Sequence, residues 1–473
     1  MSSPNPRVAV IGAGPGGYAA AFYAADLGMQ VTLVDPEKNP GGVCLYRGCI
    51  PSKALLHVAK VLDEAKHADA WGISFGEPTV DVDKLRAYKE RVVEKLTSGT
   101  GQVARLRKIT YLQGRATLTG PTTFTVALTA GGEQQVEVDY VILATGSHPT
   151  RIPSLSLDSP RVLDSTGALD LPEVPKTMLV VGGGYIGLEL GSVYAALGTR
   201  VSVVEMTPGL LPGADRDLVK VLAQRVEQTF DKVLLSTKVT SMQDAGGKGV
   251  TVSFEGEGAP AQETYDYVLV AIGRRPNGKV PGLDTTKAKV SDKGFIETDG
   301  QRRTAEPTVF AIGDVAGEPM LAHKASHEAR IAVEAIAGHK AVFEPAAIPA
   351  VVFTDPEVAW AGLTEADAEK QGIEVEVAKF PWGASGRAIA IDRVDGLTKV
   401  LVDPKTERIL GVGLVGSGAG ELIAEGVLAI EMGATVEDLK LTIHPHPTLT
   451  ETLMEAAEVF FGQATHVYKP KRK

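Results

Sequence analysis

One pattern occurs twice in this chain, and the repeat restricts the fold more than any other feature. From Arg7 the sequence runs RVAVIGAGPGG: an apolar strand enters a turn with glycines at 12, 14 and 17, and an alanine-rich helical stretch follows. QVTLVD then reads as a second strand ending on Asp35, 18 residues beyond Gly17. From Met178 the order returns as MLVVGGGYIGLE, with Gly182, Gly184 and Gly187, and Glu205 again stands 18 residues beyond the last glycine. Strand, glycine turn, helix and strand make a βαβ unit. Backbone N–H groups at its helix start receive a pyrophosphate, and the acid accepts from a ribose hydroxyl. Two such units predict an α/β chain with two dinucleotide sites and hence two cofactors. Glu205 would repel a 2′-phosphate, and Met206 and Thr207 after it bring no arginine, so the second site is expected to prefer NAD over NADP.

Both cysteines of the 473 residues lie in GGVCLYRGCIPSK, at Cys44 and Cys49. On a regular helix residues five apart have Cα atoms roughly 8.6 Å from each other, beyond the limit of about 7 Å for a disulfide. Gly48 can relax the backbone and Pro51 suits the first turn of a following helix, so Cys44 could fold back onto Cys49 in a short, reducible bridge. A zinc half-site and a pair of inert buried thiols are the other readings. Zinc lacks the further ligands it needs nearby.

Charge and hydropathy exclude several classes. With 48 basic against 58 acidic residues the net charge is −10, which argues against a nucleic-acid surface. The apolar runs Val8 to Met29 and Met178 to Leu197 are broken by glycines, the second also by Glu189, so neither reads as a signal peptide or a membrane span. An initiator Met without a transit segment points to a bacterial cytoplasm, a mature mitochondrial matrix form being the alternative.

Further along, VILATGS (141–147) and YVLVAIGRRPN (267–277) each read as a buried strand leaving a domain, and TVFAIGD (308–314) delivers Asp314 to a strand's carboxyl end. Asp314 is there either for a ligand or as a turn residue before Gly317. A helix is expected from near Met320, and from about residue 348 strands and hairpins mix with two or three helices. These changes divide the chain at 1–150, 151–275, 276–346 and 347–473. In TIHPHPTLTETLME (442–455) each histidine precedes a proline, which holds His444 and His446 in an extended loop. Thr448 with Glu451 fits a capping box that starts the last helix; Glu451 is either that cap or the partner that orients His446. The end KPKRK reads as a solvated tail or a dock for an acidic partner.

In this order, GAGPGG, GGVCLYRGCIPSK, ATGS, GGGYIGLE, AIGD and HPHPTLTE resemble the flavoprotein disulfide reductases, specifically the branch that oxidises dihydrolipoamide, over nearly the whole chain. The resemblance implies two Rossmann-like domains and a C-terminal α+β dimerisation domain. It implies FAD in the first site, completed by 276–346, and NAD in the second, in a homodimer. It makes Cys44 and Cys49 a redox-active disulfide, Cys44 exchanging with substrate and Cys49 lying beside the flavin. His446 and Glu451 become an acid–base dyad reaching the cysteines of the other subunit. Lys53 and Glu189 resemble an ion pair near the flavin ring, Glu189 also counting among the NAD contacts with Gly273. Gly114, Thr145, Gly146, Asp314 and Ala322 join the FAD contacts, Asp314 at the ribityl chain. Asp35 departs mildly, Glu being the more usual acid there. The implied reaction passes electrons from dihydrolipoamide on lipoyl domains through the cysteine pair and FAD to NAD+, with the subunit-binding domain of an acyltransferase component as a docking partner. The rivals are an NAD(P)H-dependent reductase of another disulfide and a mainly structural flavoprotein subunit of a complex.

Overall fold

Arg7–Ile11 is buried from Val8 onward, as a parallel strand covered on both faces must be, and a seven-stranded sheet is built outward from it. Gln30–Asp35 and Tyr140–Leu143 flank it in parallel. Thr110–Leu118 extends the sheet beyond Gln30–Asp35, and Thr123–Leu128 and Glu133–Glu137 follow antiparallel. At the other edge Val309–Ala311, from far along the chain, pairs in parallel with Tyr140–Leu143. That return strand carries Asp314 to the same carboxyl edge as the first glycine turn. The helix after it begins at Ala322, two residues past the expected start, and runs to Ile336. It packs so closely on Pro15–Asp26 that a Cβ on Gly16 would come within 3.0 Å of the Ala325 methyl. The structure, a computed structural model, describes residues 5–468; the KPKRK end lies outside the described residues.

The second glycine unit forms a five-stranded parallel sheet in the order Lys232–Leu234, Arg200–Val204, Thr177–Val181, Tyr267–Val270, Val162–Leu163. A two-stranded ribbon, Ser147–Pro149 against Arg274–Pro276, joins it to the first sheet.

From Ala350 a five-stranded antiparallel sheet carries five α-helices, where the sequence predicts two or three. Glu365–Gln371, Gly386–Ala390 and Val436–Leu441 have seven, five and six residues, too few to show a 3.6-residue period. Fully buried Lys399 of this sheet reaches Asp215 at 2.8 Å and Asp217 at 3.0 Å, and also pairs with Glu365. With Lys379 on Asp217, this group of three acids is an ionic seam between the second and third sheets. No helix among the described residues is long and apolar enough to cross a membrane.

Candidate active site

The two cysteines meet because the helix between them is broken. Gly42–Arg47 ends at Gly48, and Cys49–His67 begins immediately after it. A Cβ on Gly48 would stand 2.9 Å from the Val43 carbonyl oxygen and 3.2 Å from the Cys44 Cα, so a side chain there would push the two turns apart. Both cysteines are present as thiols in contact with each other. The Cys44 thiol, hydrogen-bonded to Cys49, lowers the Cys49 pKa to about 7 against the opposing effect of burial, and the Lys53 ammonium helps. The same contact with Cys49, and then burial, pushes Cys44 up. One proton is therefore shared unequally, with thiolate character on Cys49. Cys49 is the more exposed of the pair and Cys44 is half-buried; Cys49 owes its exposure to the cavity that both of them line.

That cavity has a volume of about 640 Å³, within the range of cofactor sites. All ten residues expected to contact FAD lie on its wall: Gly12, Gly14, Gly17, Asp35, Lys53, Gly114, Thr145, Gly146, Asp314 and Ala322. The glycine turn fits a dinucleotide. A Cβ on Gly17 would be 1.8 Å from the Gly12 carbonyl oxygen, whereas one on Gly14 would meet nothing within 4 Å, so Gly14 leaves the helix start open. No side chain caps Pro15–Asp26 and its first turn has no acid, which leaves its N–H groups available to phosphate. Asp35 accepts from the Ala13 N–H at 2.7 Å and the Glu37 N–H at 3.0 Å. Its carboxylate thus props the turn as well as retaining lone pairs for a ribose. Burial pushes the Asp35 carboxyl up, and those two N–H groups pull it back down.

Lys53 pairs with buried Glu189 at 2.7 Å and lies 4.4 Å from the centre of the Phe353 ring. Glu189 also accepts from the Ser52 hydroxyl at 3.1 Å and the Phe353 N–H at 3.0 Å. The pair thus joins the cysteine helix, the second glycine helix and the third sheet. Glu189, two residues beyond Gly187 on the second glycine helix, also lines the first cavity. At the far wall the Ser147 hydroxyl donates to Asp314 at 2.5 Å and accepts from Arg274 at 2.8 Å. Arg274, Asn277 and Glu37 line the cavity and were not singled out from the sequence. GRRPN held the signal for the first two, and the position two beyond Asp35 held it for Glu37.

The second turn repeats the geometry of the first. A Cβ on Gly187 would be 2.2 Å from the Gly182 carbonyl oxygen, and one on Gly184 would meet nothing. Glu205 accepts from Gly183 N–H at 2.7 Å and Thr207 N–H at 2.8 Å, as Asp35 does in the first. Tyr185–Ala196 is also uncapped by a side chain. Gly273 turns the chain between the last strand of this sheet and Arg274–Pro276. Among the described residues no lysine or arginine pairs with Glu205, whose two oxygens are held by backbone N–H groups alone. Replacing Gly187→Ala forces the turn open, and we expect NAD+ binding to weaken roughly 10-fold or more, the scale of an overpacking penalty, with flavin content unchanged. NAD+ titration of the flavin-loaded variant checks this.

His446 and Glu451 are brought together. The Nδ1 of His446 lies 2.9 Å from one oxygen of Glu451, and the other oxygen accepts from the Thr448 N–H at 2.7 Å. Both readings of Glu451 hold part of the truth, but the capping box fails. The helix starts at Glu451 itself with Thr450 before it and no side-chain cap, so Thr448 lies two residues ahead of the position from which its hydroxyl could accept from the helix start; the hydroxyl donates to the Pro445 carbonyl at 2.7 Å. Against a burial effect that raises it, the Thr448 N–H and His446 hold the Glu451 carboxyl below its ordinary range. The His446 side chain is 71% exposed and is not on the wall of the cysteine cavity. Within one chain the dyad and the cysteines are separate.

The fold and the site define a class. Residues 6–329 match the model of the pyridine nucleotide-disulphide oxidoreductase family and residues 348–457 that of the family's dimerisation domain. The chain belongs to this family. It is 50% identical over 467 residues to the dihydrolipoyl dehydrogenase of Haemophilus influenzae, covering 99% of this chain and 97% of the relative. It is 44% identical to that of Geobacillus stearothermophilus, covering 97% of each. Among solved structures it is similar to LpdA from Mycobacterium tuberculosis, with a TM-score of 0.88, 25% identity and coverage of 96% of this chain and 99% of that one. It is also similar to the HOCl-induced flavoprotein disulfide reductase RclA from Escherichia coli, with a TM-score of 0.85, 26% identity and coverage of 96% and 99%.

Proposed function

We propose that this protein is a dihydrolipoyl dehydrogenase, which oxidises dihydrolipoamide to lipoamide and reduces NAD+ to NADH. The observation that carries the reading is the pair of touching thiols, unequal in acidity, on the wall of a dinucleotide-shaped cavity. In the oxidised protein Cys44 and Cys49 are joined. A substrate thiolate attacks Cys44, breaking the Cys44–Cys49 bond and releasing Cys49 as a thiolate beside Lys53. The second substrate thiol then displaces Cys44, closing the lipoamide ring and leaving two electrons on the cysteine pair. His446, oriented by Glu451, takes the substrate proton in the first step.

The ten cavity residues would hold FAD, which when bound would supply the two-electron chemistry linking the cysteine pair to NAD+. Residues 1–150 with 276–346 form its domain, 151–275 the NAD domain with Gly182, Gly184, Gly187, Glu205 and Gly273, and 347–473 the interface domain. Because His446 is exposed and does not line the cavity of its own cysteines, a homodimer places it at those of a second copy. Lipoyl domains deliver the substrate, and the subunit-binding domain of an acyltransferase component is the docking partner. Kinship with Haemophilus and Geobacillus proteins favours a bacterial cytoplasm.

NAD+ with free dihydrolipoamide is expected to give rapid NADH formation, about 100-fold slower with NADP+, since a like-charge contact costs several kcal/mol. Comparable or faster turnover in the NADPH direction with glutathione disulfide would replace this reading by a reductase of another disulfide.

A further inference from the structure

We propose that His444 is a positioning residue that anchors the loop carrying His446, acting through a pair with Glu425. The inference rests on the reading of His446 as the thiol base. The loop inverts the usual order of burial. Leu441 is 67% and Ile443 94% exposed, while the His444 side chain is 4% exposed. Within one chain, apolar side chains that find no cover beside an imidazole turned inward mean that specific bonds, rather than apolar burial in the same chain, hold the segment.

Those bonds are complete at both ring nitrogens. Nδ1 lies 2.8 Å from the Thr442 carbonyl oxygen and Nε2 lies 2.8 Å from a Glu425 carboxylate oxygen. Both partners are acceptors, so either ring nitrogen that carries a hydrogen has an oxygen to receive it. Glu425 belongs to Ala419–Glu431, whose Ile423, Gly426 and Ile430 are buried, so the anchor point is rigid. On the other side of His446 the Glu451 carboxylate holds both the Thr448 N–H and the His446 ring. His446 is thus suspended between two fixed points, His444 tied to Ala419–Glu431 through Glu425 and Glu451 at the start of Glu451–Phe460. Releasing the first lets the imidazole move relative to the thiol, and about 1 Å of misplacement costs on the order of 100-fold.

The test is a cycle of His444→Ala, His446→Ala and the double variant in the full-length holoenzyme. It reads dihydrolipoamide-to-NAD+ turnover beside NADH oxidation by ferricyanide. His444→Ala is expected to lower dithiol turnover about 10- to 100-fold, to leave the ferricyanide rate unchanged, and to add nothing to the loss in His446→Ala, because both remove one function. If His444→Ala does not fold, Glu425→Gln is read in the same cycle and is expected to show the same non-additivity with a smaller loss. Full dithiol turnover in His444→Ala, or losses that multiply in the double variant, overturns the inference while the base assignment stands. A fully active His446→Ala overturns the base assignment and this inference with it.

Discussion

Replacing His446→Ala is expected to slow dihydrolipoamide oxidation by about 100- to 10,000-fold, the usual worth of a positioned acid–base group, while NADH oxidation by ferricyanide is largely spared. The split follows from geometry. A free thiol near its ordinary pKa of about 8.5 is only a few per cent thiolate at neutral pH, so the substrate needs a base, and His446 is exposed at 71% with Glu451 fixing its Nδ1. The dinucleotide turns and the cavity contain neither residue, so the nucleotide half of the reaction has nothing to lose. Stopped-flow comparison of the two half-reactions makes the measurement. Equal damage to both would remove His446 from the thiol chemistry.

Replacing Cys49→Ser is expected to have a larger effect on dithiol turnover, a loss of about 10,000-fold or more, because residues that act as a unit fail as a unit. Serine can form no disulfide with Cys44, so the substrate's two electrons have no acceptor on the protein. NADH oxidation by ferricyanide should persist. The wild-type pair carries a pH signature as well. With the Cys49 pKa lowered to about 7, its thiolate is the main form above that pH and is lost as pH falls through it. In the reduced protein the thiolate absorbance should fall on the acid side of pH 7. Cys49→Ser should abolish that transition, and a transition centred well above pH 8 would show that Cys44 and Lys53 do not lower the Cys49 pKa.

The parts of the site legible in the sequence were those encoded locally. Each glycine turn announces itself within one βαβ unit, because Gly17 and Gly187 are needed within five residues of the carbonyl they approach. The cysteines were legible because no others compete with them. Convergence was not legible. Asp314 meets Ser147 across 167 residues, and Arg274 meets Ser147 across 127; only the pairing of Val309–Ala311 with Tyr140–Leu143 and the two-stranded ribbon bring them together. The short helices of the third sheet escaped because one or two turns carry no period. Spacing at Thr448 and Glu451 suggested a cap, and it failed because the helix begins at Glu451 after Thr450 rather than after Thr448, a boundary that spacing does not fix. The same spacing left the histidine partnership open until the 2.9 Å contact was seen.

The central claim is that Cys44 and Cys49 form a reversible relay between dihydrolipoamide and the pyridine nucleotide. Alkylation of the denatured protein, mapped by mass spectrometry before and after anaerobic addition of one equivalent of dihydrolipoamide, tests it most directly. The account predicts that neither cysteine is alkylated in the air-oxidised holoprotein, that both are after the dithiol is added, and that excess NAD+ then protects both again as NADH appears. Two cysteines alkylated equally at every stage, with NADH still forming, would contradict it.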